Sequence, residues 1–303
     1  MIAVVGSINM DLVVEVPRIP RPGETIHGRR VSRYPGGKGA NQAVAAARLR
    51  VETALFGKLG GDMFGDELLR SLEENGVDVS AVKFEDDVAS GLATIWVSDD
   101  GENAIALAPG ANALVDGAYV DRILDHVANA DVLLLQLEIP LEAIRHLLHR
   151  LPKERPLVIL DPAPASDLSS LLLWRIDILT PNKGELEAIT GCDDIEQGAH
   201  QLLSRGIGNV ICTAGEEGAY WISPEGASSF PAPLVTPIDT TAAGDAFNGA
   251  LAWALLTKPI NEAIPWANAA GALATTRKGA QPSLPTLDEL KAFLDEKGPG
   301  TIS

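Results

Sequence analysis

Short runs of apolar residues alternate along the chain with longer segments in which apolar positions recur every three or four residues. Continuous apolar runs of four or five residues are typical of strands in a parallel sheet that helices cover on both faces. Strands are therefore predicted over residues 2–5, 132–135, 157–160, 176–179 and 209–212.

The longer segments predict amphipathic helices. Phe64, Leu68 and Leu72 fall on one helical face, and Gly76 is a residue that can end the helix. Further helices are predicted over residues 40–49, 116–130, 141–151, 197–205, 246–256, 261–276 and 287–294. Alternation of strands and helices indicates βαβ units with right-handed crossovers. We therefore predict an α/β fold with a doubly wound, mostly parallel sheet sandwiched by helices.

Two regions, residues 12–34 and 92–108, depart from this alternation. They contain four predicted strands, at 12–16, 25–34, 92–97 and 103–107. An Asp-Asp-Gly turn separates the last two strands, and the polar and apolar positions alternate as in antiparallel strands. We expect a small antiparallel β lid on a single domain that spans residues 1–303. The exposed face of the lid predicts a homodimer, since it could be buried against a second copy.

The composition narrows the possible partners. The chain has 303 residues, 46% of them hydrophobic, and a net charge of −17. A nucleic-acid or anionic membrane partner is not expected, because phosphate groups require clustered Lys and Arg. No apolar run approaches the roughly 20 residues of a membrane span, and the first residues do not resemble a signal peptide. With only two cysteines, Cys192 and Cys212, a cytoplasmic location is expected.

Polar residues follow the predicted strands at the points where they end. They are Asn9 and Asp11, Gln136 and Glu138, Asp161, Thr180 and Asn182, and Thr213. Each residue alone is typical of a turn or a helix cap. In a doubly wound sheet, however, the carboxyl ends of the strands lie together and bind the ligand. Their shared position favours a binding site at this edge of the sheet.

The glycine-rich segment 35–42, Pro-Gly-Gly-Lys-Gly-Ala-Asn-Gln, has two interpretations. It is not a phosphate-binding P-loop, because Ser32 replaces the first glycine and Gly39 replaces the hydroxyl residue after Lys38. It also does not form a dinucleotide-binding fingerprint. The segment either lets the backbone approach a small polar ligand, with Lys38 and Asn41 as donors, or simply begins the next helix.

Residues 239–249 read Asp-Thr-Thr-Ala-Ala-Gly-Asp-Ala-Phe-Asn-Gly and carry the strongest chemical signal. Small residues lead into a helix whose first N–H groups and positive dipole end favour an anion. Asp245 would repel a bound phosphate, so its presence in the first turn points to a proton acceptor for an attacking hydroxyl. The same dipole should keep Asp245 ionised at neutral pH. The alternative is that Asp245 only favours the start of the helix.

On these residues the chain resembles the carbohydrate kinase family that contains ribokinase, fructokinase and adenosine kinase. The Gly-Gly pair at 36–37 resembles the first family signature, and residues 239–245 resemble the second, D-T-x-x-A-G-D. The resemblance covers nearly the whole chain. It is strongest to the ribokinase branch, through residues 6–11, 36–43, 108–112, 161–165 and 276–283.

The resemblance implies ATP-dependent transfer of the γ-phosphoryl group to O5 of D-ribose, giving D-ribose 5-phosphate and ADP. Asp245 is then the base, and the backbone amides of Ala242, Ala243 and Gly244 form the anion hole. The matching sugar-binding residues are Asn9, Asp11, Gly37, Lys38, Asn41 and Glu138. The matching nucleotide-binding residues are Asn182, Thr213, Gly215, Gly218 and Asn268.

The family also implies two kinds of metal ion. Asn182 and Glu185 match an N-x-x-E pattern that organises Mg²⁺ and its water ligands near the phosphates. A monovalent cation, usually K⁺, lies beside the anion hole, in several places on backbone carbonyl groups. Its matching positions are Asp239, Thr241, Ala274, Arg277, Gly279 and Ser283.

The chain departs from the ribokinase pattern at several positions. Asp161 stands where Asn often precedes Pro-Ala-Pro, and Glu216 and Glu217 make the nucleotide loop unusually acidic. A kinase of the same fold that acts on another sugar or a nucleoside is the nearest alternative. A nucleoside would need aromatic lid residues, for which only Tyr34 and Trp96 are available. A non-catalytic sugar-binding protein is a more distant alternative, and an oxidoreductase is the least favoured.

Overall fold

The computed structural model describes residues 1–297, which form fourteen β-strands and ten α-helices. The strands are β1 (Ile2–Val5), β2 (Asn9–Val16), β3 (Arg30–Gly36), β4 (Thr53–Phe56), β5 (Lys58–Gly60), β6 (Lys83–Glu85), β7 (Gly91–Ser98), β8 (Asn103–Ala108), β9 (Val132–Leu135), β10 (Leu157–Leu160), β11 (Ile178–Leu179), β12 (Asn209–Thr213), β13 (Ala219–Ser223) and β14 (Gly226–Phe230). The helices are α1 (Lys38–Arg48), α2 (Met63–Glu74), α3 (Gly117–Ala128), α4 (Leu141–Arg150), α5 (Lys183–Thr190), α6 (Ile195–Ser204), α7 (Ala243–Leu255), α8 (Ile260–Ala274), α9 (Ala280–Ser283) and α10 (Leu287–Lys297).

Eight strands form the large sheet, in the order β14-β13-β12-β11-β10-β9-β1-β4. The six strands from β12 to β4 are parallel, and β13 and β14 add an antiparallel edge. The predicted α/β class with a mostly parallel sheet is confirmed. The predicted strand at 176–179 is shorter, because the Ile176 N–H closes a helical turn on the Leu173 carbonyl. Strands β4, β13 and β14 were not predicted.

Helices cover both faces of the large sheet, and each face has its own core. Within β1 and β9, alternate residues point to opposite faces, as the pleat requires. Ile2, Val4 and Leu134 pack into the core shared with α1, α7 and α8. Ala3 and Leu133 pack into the core shared with α3, α4 and α6. Two apolar faces explain why the strands of the large sheet read as continuous hydrophobic runs.

A second sheet has four strands in the order β3-β2-β7-β8. Its outer pairs are antiparallel as predicted, but β2 and β7 are parallel. The chain between them passes through α1 and α2, and a long crossover of this kind allows parallel pairing whereas a tight hairpin does not. The prediction of strand structure from residue 25 was wrong, since β3 begins at Arg30. Ile105 and Leu107 are exposed on the face of this sheet that carries Asp11, and Val31 is exposed on the opposite face.

Two predictions remain, one on the extent of the domain and one on membrane-spanning segments. The predicted domain extends to residue 303, and residues 298–303 lie outside the described part. None of the helices described in residues 1–297 is both long enough and apolar enough to cross a membrane.

Candidate active site

Helix α7 begins at the carboxyl edge of the large sheet with an unusual backbone turn. Ala242 caps the helix in the left-handed region, with φ of 60°, and the Ala243 N–H donates to the Thr240 carbonyl at 3.2 Å. Within residues 1–297, the N–H groups of Ala242, Gly244 and Asp245 have no protein acceptor. The structure therefore differs from the expected anion hole at Ala243, whose amide is engaged, while its neighbours remain available to an anion.

Asp245 lies in the first turn of α7 and is 5% exposed. Asn41 donates a hydrogen bond of 2.9 Å to Oδ2, and Gln42 donates one of 3.1 Å to Oδ1. Both donors lie on α1, at the end of the glycine-rich segment. Their hydrogen bonds fix the plane of the carboxylate, and a fixed carboxylate can take a proton from a hydroxyl of defined position.

Burial and neighbouring charges act on Asp245 in opposite directions. Burial raises its pKa, whereas Lys38 and the hydrogen bonds from Asn41 and Gln42 lower it. The net pKa shift is upward, opposite to the shift expected from the helix dipole alone. A raised pKa suits a general base, because the pKa of the group then lies closer to neutral pH.

Lys38 and two further carboxyl groups complete the charged cluster. Burial lowers the pKa of Lys38, but the surrounding carboxylates, first Asp161 and then Asp245, raise it overall. Burial also raises the pKa of Asp11 to about 7, assisted by Glu138 and Asp245, and raises that of Asp161 to about 7. Lys38 therefore stays positive and offsets a dense group of acidic residues.

Two cavities meet at the tip of α7. The larger has a volume of about 300 Å³ and mainly apolar walls, and the smaller has about 180 Å³. Thr213, Thr240, Ala243 and Gly244 line both cavities, and Asp245 lines only the smaller one. A ligand in the larger cavity can therefore extend across the amides of the helix tip to the Asp245 carboxylate. Of the predicted sugar-binding residues, only Lys38 lines the smaller cavity.

Three of the predicted sugar-binding residues, Asn9, Lys38 and Glu138, form one hydrogen-bonded group. Glu138 Oε2 accepts from the Ser7 hydroxyl at 2.5 Å, from the Lys38 backbone N–H at 3.1 Å and from Asn9 at 3.3 Å. Asn112 donates to Asn9 Oδ1 at 2.7 Å, so the Asn9 amide group points its nitrogen towards Glu138. Such preset donors and acceptors match a small molecule with several hydroxyl groups.

Packing explains much of the glycine-rich segment. A Cβ atom at Gly39 would lie 2.7 Å from the Gly6 backbone, and one at Gly36 would lie 2.1 Å from the Asp11 carboxylate. Gly37 has φ of 88°, and a Cβ there would lie 2.6 Å from the Asn9 nitrogen. The segment thus begins helix α1, and its glycines let it pack closely against β2 and the segment before it.

The N-x-x-E pattern forms a capping box at the start of α5. The Glu185 N–H donates to Asn182 Oδ1, and the Asn182 N–H donates to Glu185 Oε2, both at 2.8 Å. Both residues also line the smaller cavity, beside Asp161. Carboxylate and amide oxygens are suitable ligands for Mg²⁺ or its water molecules. No cluster of three metal-binding side chains occurs in the described part of the chain.

The predicted nucleotide-binding residues line the larger cavity, apart from Asn182. Thr213 ends β12, and the next turn needs Gly218, whose φ is 96° and whose Cβ would lie 2.0 Å from the Phe230 carbonyl oxygen. Asn268 donates to that same carbonyl at 2.9 Å, so its amide group holds the cavity wall. Gly215 has φ of 59°. Glu216 and Glu217 are exposed.

The predicted cation-binding residues lie around the turn before α7, in which Asp239 is half-buried and Thr240 and Thr241 are exposed. Asp239 accepts hydrogen bonds of 2.9 Å from the Thr241 N–H and from the Gly279 N–H. Burial raises its pKa, but these hydrogen bonds outweigh burial and lower the pKa overall. The Arg277 N–H donates to the Ala274 carbonyl, the Arg277 guanidinium pairs with Glu289, and the Ser283 hydroxyl donates to Ala280. Carbonyl groups and one carboxylate suit a hard cation, although several of these oxygens already accept protein hydrogen bonds.

Several residues of the site had no role assigned from the sequence. Gln42 directly follows Asn41, and Ser7 lies two positions before Asn9. Thr180 donates to Asn248 at 2.7 Å, and Asn248 donates to the Gly244 carbonyl at 3.0 Å, which braces the first turn of α7. Only the position of Thr180 at a strand end could have suggested its role.

Comparison with known proteins agrees with this geometry. A model of pfkB family carbohydrate kinases matches residues 1–287. The chain therefore belongs to the pfkB family of carbohydrate kinases, which are phosphotransferases with an alcohol acceptor.

Individual members of the family are similar to this chain over nearly its whole length. The chain is 41% identical over 301 residues to the ribokinase of Haemophilus influenzae, covering 97% of this chain and 98% of that protein. It is 35% identical over 300 residues to the deoxyribokinase of Salmonella typhi, with coverage of 97% and 98%. The solved Thermotoga maritima ribokinase is 37% identical, with a TM-score of 0.91 and coverage of 97% and 99%. Arabidopsis thaliana ribokinase, solved with ribose and ATP, is 33% identical, with a TM-score of 0.90 and coverage of 96% and 97%.

Proposed function

We propose that this chain is an ATP-dependent ribokinase that transfers the γ-phosphoryl group to O5 of D-ribose, giving D-ribose 5-phosphate and ADP. The observation that carries the proposal is the pair of cavities joined at the tip of α7, with Asp245 on one side of the junction. The full-length similarity to ribokinases supports the choice of sugar. The reaction takes place in the cytoplasm, in a single domain with a β lid.

Asp245 accepts the proton of the attacking hydroxyl. Asn41 and Gln42 hold its carboxylate from the side of α1, so the sugar hydroxyl approaches from a different side. The sugar is held by Asn9, Asp11, Gly37, Lys38, Asn41 and Glu138. Among residues 1–297, the buried Asn41 Oδ1 has no hydrogen-bond partner, which leaves an acceptor for a sugar hydroxyl.

Negative charge on the transferring phosphoryl group is stabilised at the helix tip. The unpartnered amides of Ala242 and Gly244 and the α7 dipole favour this charge before the reaction begins. Ala243 contributes by shaping the turn. Mg²⁺, held near Asn182 and Glu185 through water, supplies further positive charge when the nucleotide is bound.

The larger cavity holds the base of the nucleotide and the ribose unit attached to that base. Thr213, Gly215, Gly218 and Asn268 form its walls, and the cavity is large and apolar enough for a purine. A cation such as K⁺ binds at the turn around Asp239 and Gly279. Because this turn leads directly into α7, the cation stabilises the helix tip. Turnover measured in K⁺ and in an organic monovalent cation tests this role, and equal rates would contradict it.

The four-stranded sheet forms the lid and pairs with a second copy in a homodimer. Ile105 and Leu107 share one face of this sheet and are 60% and 40% exposed, and apolar surface of this kind is usually buried in an interface. Ile105→Lys should give a monomer in sedimentation experiments, because the charge cannot be buried without a partner. A dimer that persists in this variant would place the interface elsewhere.

A substrate panel tests the proposed activity. D-ribose, 2-deoxy-D-ribose, hexoses and nucleosides are compared by ATP consumption, with and without K⁺. We expect the highest kcat/KM for D-ribose. Deoxyribose is the second candidate because of the deoxyribokinase relative. A higher kcat/KM for deoxyribose or for a nucleoside would overturn the choice of sugar.

A further inference from the structure

Gln42 joins two buried carboxylates. Its side chain is fully buried on α1, and Nε2 donates a hydrogen bond of 2.8 Å to Asp161 Oδ2 and one of 3.1 Å to Asp245 Oδ1. Both amide hydrogens thus bind carboxylates, that of Asp161, directly after β10, and that of Asp245, on α7. Hydrogen bonds to charged groups are among the stronger ones in proteins, and burial increases the cost of losing them.

A second glutamine fixes the orientation of this amide. Gln136, at the end of β9, donates a hydrogen bond of 2.6 Å to Gln42 Oε1. If the Gln42 amide rotated by half a turn, all three hydrogen bonds would be lost. Its oxygen would then face the carboxylates of Asp161 and Asp245, which is electrostatically unfavourable. Gln136 therefore sets which end of the Gln42 amide faces Asp245.

We propose that Gln42 is a positioning residue for phosphoryl transfer, because its side-chain amide, oriented by Gln136, holds the Asp245 carboxylate towards the attacking hydroxyl. Gln42 lies on the protein side of the carboxylate and does not contact the sugar. Together with Asn41, it leaves Asp245 one direction in which to accept a proton. The proposal rests on the assignment of Asp245 as the base.

The charges around Asp245 decide what happens when Gln42 is removed. The titratable groups that face it are Lys38, Asp11, Glu138, Asp161 and Glu185. Most are acidic, so loss of a hydrogen-bond donor leaves the charged form of Asp245 less stable and raises its pKa. The base must be ionised to accept a proton, so the acidic limb of the activity profile should move to higher pH.

The test uses Gln42→Leu, which keeps the approximate size and removes the amide. We expect kcat to fall about tenfold to hundredfold, as for the loss of a hydrogen bond to a charged group. KM for ATP should stay near the wild-type value, and the acidic limb of kcat/KM against pH should move upward. Gln42→Glu adds a like charge between the two carboxylates, so its acidic limb should move further.

Thr53→Val is the control, because it removes a buried polar group at the opposite end of the large sheet. It should leave kcat and the pH profile unchanged. A wild-type kcat and an unmoved acidic limb in Gln42→Leu would overturn the proposal. If neither Gln42 variant folds, Gln136→Leu is measured instead. This substitution frees the Gln42 amide to rotate, so the acidic limb should move to higher pH by a smaller amount. An unmoved acidic limb would overturn the proposal.

Asp245→Asn separates this proposal from the assignment of the base. If Asp245→Asn is inactive while Gln42→Leu is fully active, only the positioning role fails. If Asp245→Asn remains active, the base assignment fails and the positioning role fails with it.

Discussion

The side-chain amide of Asn41 donates a hydrogen bond of 2.9 Å to the carboxylate of Asp245, although 204 positions separate the two residues in the chain. Asn41 lies on α1, within the glycine-rich segment, and Asp245 lies on α7. The hydrogen bond therefore joins the two sequence signatures at one point. Helices α1 and α7 pack closely enough for this contact because small residues line their interface, including Ala45 and Gly249.

Gly244→Ala should reduce turnover without reducing stability. A Cβ atom at Gly244 would have no atom within 4 Å, so the protein can accommodate it. The new methyl group would nevertheless enter the junction of the two cavities, which Gly244 lines. We expect the free energy of unfolding to stay equal or rise by up to about 1 kcal/mol, because alanine favours a helix over glycine. Urea unfolding measures the stability and kcat measures the turnover. A fully active variant would contradict the proposal that the phosphoryl group is transferred at the tip of α7.

Gly249→Ala provides the matched comparison on the same helix. A Cβ atom there would lie 2.5 Å from the Ala45 side chain and 3.0 Å from the Ala46 nitrogen. Overpacking of this kind should lower the free energy of unfolding by about 1–3 kcal/mol. Urea unfolding measures the loss. A variant as stable as the wild type would mean that α1 and α7 can separate without cost.

The stability of the protein should depend on pH through Asp161. Burial raises the pKa of this carboxyl group from 3.8 to about 7 in the folded protein. Between these pH values the folded protein retains a proton that the unfolded chain has released, so this group lowers stability as pH rises. Asp161→Asn has no proton to lose at this position.

The free energy of unfolding of wild type and Asp161→Asn should be compared at about pH 5 and about pH 8. We expect the variant to gain stability relative to the wild type at the higher pH. A difference between the two proteins that is independent of pH would contradict the raised pKa of Asp161.

Much of the fold could be predicted because burial on both faces leaves a direct pattern. Strands β1, β9 and β10 are continuous apolar runs, and the sequence alone located them. The parallel pairing of β2 and β7 could not be predicted, because local alternation of polar and apolar residues does not reveal which strand is the neighbour. The start of β3 was also missed, since only pairing with β2 defines it.

The site shows the same division between local and long-range information. Asp245 and the small residues before it could be identified because a phosphate-binding helix tip is a local feature of the chain. The contact of Gln42 with Asp161 and Asp245 depends on three segments that meet only in the folded protein. The engaged amide of Ala243 depends on the left-handed backbone of Ala242, which a non-glycine residue seldom adopts.

The most direct test of the central claim is the turnover of Asp245→Asn, measured together with its affinity for D-ribose. The amide keeps the size of the side chain but cannot accept the proton of the sugar hydroxyl. We expect kcat to fall about 10²- to 10⁴-fold, the usual contribution of a general base, while calorimetry gives a dissociation constant for D-ribose close to that of the wild type. A kcat near the wild-type value would contradict the assignment of Asp245 as the base.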